Sequence, residues 1–148
     1  VYVPIGMGSG ICGLIQARNL LGLKTEIVGV VSSAADADAQ SFERGRIVTT
    51  ATADTFADGM ACRVPHPEAF ALVCEHAARI VRVSDSEVAE AMLMYHEATH
   101  NTAEGAGAAA LAALMQERER QAGRRVAVVL SGANVDRALY ARVLAGID

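Results

Sequence analysis

Tryptophan is missing from this 148-residue sequence, and tyrosine and phenylalanine bring the aromatic share to only 4%. Its core must therefore be aliphatic. Alanine and valine dominate the 52% of residues that are hydrophobic, which suits helices packed closely on a sheet. Lysine occurs once, as Lys24. The basic residues are scattered and the formal net charge is −4, so the clustered basic face that a nucleic acid would need is lacking. No apolar run reaches membrane-spanning length and none reads as a signal peptide, so no membrane partner is expected. The three cysteines, Cys12, Cys62 and Cys74, are odd in number and widely spaced. They form neither a disulfide framework nor a zinc-ligand pattern, and a reducing cytoplasm is the expected compartment. The length fits one domain with a real core. No methionine opens the chain, which suggests a piece of something longer.

Against these absences stands the glycine-rich opening, Gly6-Met7-Gly8-Ser9-Gly10 with Gly13 beyond, directly after a short β-branched run. A strand, a glycine turn and a helix start form the arrangement by which α/β proteins hold a phosphate. Glycine lets backbone N–H groups approach an anion closely, and the helix N-terminus adds free donors and the positive end of its dipole.

The apolar pattern predicts strands over residues 1–5, 26–31, 80–83 and 125–130. Helices are predicted from the glycine turn to about 21, over 34–44, 66–78 and 84–100, and then over 106–120 and 135–144. Gly22 and Gly45 read as C-terminal stops, Pro67 as a first helical position, and Ser84 with Glu87 as a capping box. Continuous apolar strands alternating with helices imply an α/β fold in three layers: a mostly parallel sheet with helices on both faces. In such a sheet ligands sit at the carboxyl ends of the strands. The glycine loop and Ser131-Gly132 both fall there, so Ser131 is a candidate site residue.

Two short motifs compete for a functional reading. Gly8-x-Gly10-x-x-Gly13 matches a dinucleotide fingerprint, but that fingerprint wants an acid at the end of the second strand, where Val31 and Ser32 stand. His96-Glu97-Ala98-Thr99-His100 matches the H-E-x-x-H pattern of zinc peptidases, with Glu97 as general base. Its third ligand is not evident. Ala103 and Ala106 stand at the extended positions, and Glu117 or Glu119 could serve.

Four longer stretches carry a more specific pattern, in one order along nearly the whole chain. They are Val3 to Gly10; Asp54-Thr55-Phe56-Ala57-Asp58-Gly59; Ala103 to Ala112 around Glu104 and Gly107; and Leu130-Ser131-Gly132-Ala133-Asn134. In these stretches the chain resembles the serine/threonine dehydratases, ammonia-lyases of the fold-type II (tryptophan synthase β-like) class that use pyridoxal 5'-phosphate. The resemblance implies that Gly6, Met7, Gly8, Ser9 and Gly10 form the phosphate loop. It implies that Ser131 bonds the pyridine nitrogen, that Gly59 lets backbone lie against the ring, and that Glu104 sits near the cofactor edge.

The sequence departs from the family pattern in several places. Met7 and Ser9 stand where many relatives have glycine. Ala133 replaces a glycine, at a cost of about 1–2 kcal/mol if that position needs positive φ. Val31 and Ala37 occupy the places of two acids that hold a divalent cation in some members, so no metal is expected there. The family's Schiff-base lysine lies upstream of the glycine loop, and Lys24 falls at the wrong end of the sheet to replace it. Residues 1–148 are thus expected to be the carboxyl-terminal part of the large domain, with the small domain and the lysine segment absent. No catalytic residue is expected in this part, and no activity from it alone. The complete enzyme would convert a β-hydroxy amino acid to a 2-oxo acid and ammonia, as a homo-oligomer. Serine racemase, a hydroxyamino-acid or hydroxyectoine-pathway dehydratase and a non-catalytic phosphate-ligand binder are the alternatives.

Overall fold

The computed structural model describes residues 1–146; Ile147 and Asp148 lie outside the described residues. Three parallel strands, β1 (Tyr2–Pro4), β2 (Val28–Ser32) and β3 (Arg79–Val83), pair in the order β1-β2-β3. The connecting segments contain α1 (Ser9–Leu20) between β1 and β2, and α2 (Ala37–Arg44) and α3 (Pro67–His76) between β2 and β3. α4 (Asp85–Thr99), α5 (Gly105–Gln116) and α6 (Arg137–Leu144) follow the sheet.

The pleat divides the core in two. Tyr2, Val28, Val30, Val81 and Val83 pack with residues of α4, α5 and α6. Val3, Ile5, Ile27 and Val31 pack on the other side with α1, α2 and α3. The result is the expected three-layer α/β arrangement. α5 covers the sheet so closely because its inward positions are glycine and alanine; Ala108, Ala109, Ala110 and Ala113 are fully buried. No helix among the described residues is long and apolar enough to cross a membrane.

Several element boundaries differ from the sequence expectation. Residues 125–130 do not form a regular strand. They make one bridge, Tyr2 to Val128, with the Tyr2 N–H donating to the Ala127 carbonyl at 2.9 Å and the Val129 N–H to the Tyr2 carbonyl at 3.1 Å. The next rung of a parallel ladder would need an N–H from residue 4, and Pro4 has none. The helix expected over 106–120 stops at Gln116, because Glu117 turns to meet Arg79 of β3. α1 begins at Ser9, so Ser9 and Gly10 form its first turn. β2 starts at Val28 and α2 at Ala37, each two or three residues later than expected. Ser84 and Glu87 form the expected capping box at α4.

One half-buried acid sits in the α1–α3 layer. Asp38 of α2 has no cationic partner among the described residues, and burial pushes its pKa up to about 6. A carboxyl raised above its unfolded value takes up protons on folding. Stability therefore falls as pH climbs through roughly 4 to 6, and the deficit is complete above that window. Its size is at most about 3 kcal/mol, and nearer 1–2 kcal/mol with partial solvent contact. Asp38→Asn is expected to stabilise the complete protein by about 1–2 kcal/mol at pH 8 and negligibly at pH 4. Urea unfolding at the two pH values checks this, and an equal effect at both contradicts it.

Candidate functional site

All eight residues singled out in the sequence meet in one cleft of about 330 Å³ beyond the carboxyl end of β1. The glycine loop Gly6-Met7-Gly8-Ser9-Gly10 lines it together with Gly59, Glu104 and Ser131. Val3, Leu14, Ala106 and Val129 add apolar surface. Sequence reasoning did not single these out, because nothing separates them from ordinary core residues until the cleft is seen.

Backbone geometry makes the glycine wall possible. Gly8 is the N-cap of α1 with φ 93°, a left-handed conformation, and a Cβ there would come within 2.6 Å of the Ala69 Cβ. A Cβ on Gly6 would overlap the Gly59 carbonyl oxygen, so the two backbones lie in direct contact. α1 carries no side-chain cap and no acid in its first turn. The N–H groups of Ser9, Gly10 and Ile11 have no intrahelical acceptor, because the first helical bond runs from Cys12 to Gly8. The helix thus presents free donors and its positive end beside the cleft, an arrangement that suits an anion.

Glu104 is the N-cap of α5 and braces the 131–134 turn. Its N–H donates to the Gly132 carbonyl at 3.1 Å, and its carboxylate accepts the Asn134 N–H at 2.9 Å. Gly132 and Gly107 lack Cβ atoms where those would overlap the Glu104 carboxylate and the Gly132 carbonyl. Ser131 stands exposed at the end of this brace. Ala133 does not have positive φ, so the strain considered for it does not arise.

The competing motifs find no matching geometry. His96 Nδ1 lies 3.3 Å from the Tyr140 hydroxyl. His100 closes α4 with φ 56° and turns its Nδ1 back to the His96 carbonyl at 3.2 Å. Glu117 is engaged by Arg79 and Tyr2. Among the described residues no group of three or more His, Cys, Asp or Glu could hold a metal ion. Val31 and Ala37 are buried, and the Asp36 carboxylate takes hydrogen bonds from Arg82 at 2.9 Å and Gln40 at 2.7 Å. Asp36, the first acid after β2, is thereby engaged and serves as the N-cap of α2. Burial pushes the thiols of Cys12, Cys62 and Cys74 up, away from the reactive thiolate form. Lys24 lines a different cleft with Val1 and Tyr2, at the amino ends of the strands.

The family described as pyridoxal-phosphate dependent enzyme matches residues 1–132. An L-threonine ammonia-lyase of Thermotoga maritima is 33% identical over 144 residues, 97% of this chain and 36% of that protein. A phenylserine dehydratase of Ralstonia pickettii is 37% identical over 147 residues, 97% of this chain and 44% of that protein. The crystal structure of a T.th. threonine deaminase superposes with a TM-score of 0.85 at 32% identity, over 91% of this chain and 49% of that one. This chain spans between a third and a half of the length of these relatives.

Proposed function

Since the chain belongs to the pyridoxal-phosphate dependent enzyme family, we propose that its cleft holds pyridoxal 5'-phosphate within an ammonia-lyase acting on a β-hydroxy amino acid. The observation that carries this reading is the convergence of all eight residues on one cleft beside an uncapped helix N-terminus. Residues 1–148 then supply the carboxyl-terminal part of the large domain.

Each group has a task that follows from its chemistry. The N–H groups of Ser9, Gly10 and Ile11 bind the phosphate, and Gly6 and Gly8 let the loop backbone lie close to it. Met7 and the apolar side chains exclude water. Gly59 presents bare backbone to one face of the ring. Ser131 donates or accepts a hydrogen bond at the ring nitrogen, where a hydroxyl, unlike a carboxylate, does not hold a proton on that nitrogen. Glu104 orients Ser131 by bracing its turn. The bound cofactor withdraws electrons from the substrate α-carbon and so acidifies its proton. The one lysine of this chain lies at the opposite end of the sheet, so the amine that binds the cofactor covalently comes from another part of the protein. Three free thiols fit a reducing compartment, the cytoplasm.

The test is production of 2-oxobutyrate from L-threonine by the complete protein with added pyridoxal 5'-phosphate. Activity is expected there and none from residues 1–148 alone. Ser131→Ala should lower turnover about tenfold with little change in melting temperature, because the side chain is exposed. Unchanged turnover would remove Ser131 from the ring nitrogen, and activity from residues 1–148 alone would contradict the division of labour.

A further inference from the structure

We propose that Asp85 is a positioning residue for the cofactor cleft, setting the Gly59 wall from outside it; this rests on reading the cleft as the cofactor site. Asp85 is the first residue of α4, yet that helix start is already satisfied. Ser84 Oγ accepts the Glu87 N–H at 3.3 Å, and the Glu87 carboxylate accepts the Ser84 N–H at 2.7 Å. The Asp85 carboxylate instead reaches a segment about thirty residues earlier. Oδ1 accepts a short hydrogen bond from the Thr55 hydroxyl and a longer one, at 3.5 Å, from Ser32 at the end of β2. Oδ2 accepts the Phe56 N–H at 3.1 Å. The Thr55 hydroxyl oxygen in turn accepts the Ala57 N–H at 3.2 Å. One carboxylate thereby fixes three consecutive residues, and every group it meets is a donor, which asks for a carboxylate and not an amide.

The fixed segment leads directly to the cleft. Gly105 backs it on the far side, where a Cβ would come within 2.8 Å of the Ala57 Cα. Ala57 is fully buried, and its carbonyl accepts the Met60 N–H at 2.8 Å to close a single 3-10 turn, Asp58–Met60. That turn carries Gly59, whose carbonyl rests on Gly6 and whose own Cβ would sit 2.9 Å from the Ala106 Cβ. Gly59 has no slack at either contact. A shift of residues 55–57 therefore moves the cleft wall and the phosphate loop together.

The experiment measures amide hydrogen exchange and pyridoxal 5'-phosphate affinity on the complete protein and on D85N, T55V, T55S, S84A and the D85N/T55V pair. D85N and T55V should each raise exchange about tenfold at residues 57–60, whose N–H groups are hydrogen-bonded, and weaken the cofactor about tenfold. The pair should be no worse than D85N alone, because the Thr55 hydroxyl acts through that carboxylate. T55S, which keeps the hydroxyl, should stay within about twofold of the parent. S84A destabilises the α4 start without touching the strap, so it controls for lost stability and should leave affinity within about twofold. D85N and T55V that match S84A in both readouts would overturn the proposal. Exchange that rises at residues 57–60 in a protein that binds no cofactor would uphold the strap and overturn the cofactor reading instead.

Discussion

Gly6→Ala in the complete protein is expected to weaken pyridoxal 5'-phosphate binding by about 30-fold or more, the equivalent of about 2 kcal/mol. The added methyl group would overlap the Gly59 carbonyl oxygen. That neighbour is backbone and is held at both ends, by the Asp85 strap and by Ala106, so it cannot rotate aside as a side chain would. The loop itself must move, and with it the free N–H groups at the start of α1. Gly13→Ala provides the contrast. Gly13 lies inside α1 with nothing within 4 Å of a built Cβ. That substitution should add about 0.5–1 kcal/mol of stability and leave cofactor affinity unchanged. Titration of the two apoproteins with pyridoxal 5'-phosphate, monitored by absorbance, checks the pair. Equal affinities would mean that the contact between Gly6 and Gly59 does not govern the loop.

Glu117→Ala is expected to cost about 3 kcal/mol of folding stability, the largest effect expected of a residue outside the cleft. The Glu117 carboxylate receives the Tyr2 hydroxyl and both Nε and Nη2 of Arg79, with the Arg79 Nε at 2.9 Å. Gln121 donates to the Tyr2 hydroxyl at 2.8 Å. The Arg79 and Glu117 side chains are only 17% and 16% exposed, so removing the acid leaves a mostly buried guanidinium with Glu26, at 3.5 Å, as its one remaining carboxylate among the described residues, and leaves the Tyr2 hydroxyl proton without an acceptor. The linkage has a definite sign. Hydrogen bonding from Arg79 holds the Glu117 carboxyl below its usual range. The folded form therefore sheds that proton more readily than the unfolded chain. The stability is fully present above about pH 4.5 and is lost as pH falls through the folded value. The difference between parent and variant should shrink below about pH 4, which chemical unfolding at several pH values would show. A gap that stays constant down to pH 3 would place the effect in packing alone.

The layered α/β architecture was legible because buried strands and amphipathic helices differ in period and alternate along the chain. The capping box at Ser84 and Glu87 was legible for a local reason: both partners lie within four residues. What escaped sequence reading depends on distant partners. The truncated pairing of residues 125–130 follows from the missing N–H of Pro4, which matters only once β1 is known to be the neighbour. α5 ends at Gln116 because Arg79, 38 residues earlier than Glu117, waits on β3. The start of α1 at Ser9 was hidden because its N-cap is a left-handed glycine and not a capping side chain. His96 and His100 have metal-binding spacing, yet His100 ends the helix in a left-handed turn that faces its imidazole back to the chain. The glycine loop and Ser131 were singled out by their place at the strand ends, whereas Gly59 and Glu104 became candidates through family resemblance alone. The site's glycines and single serine carry little signal one by one, and the chemistry appears when Gly6, Gly59, Glu104 and Ser131 face one cleft.

Backbone amide NMR of the complete apoprotein, titrated with pyridoxal 5'-phosphate and in parallel with phosphate-free pyridoxal, tests the phosphate cradle most directly. The phosphate ester is expected to shift the amides of residues 6–11 first and most, and to bind about 100-fold more tightly than pyridoxal. Equal affinity for the two compounds, or shifts centred away from residues 6–11, would contradict it.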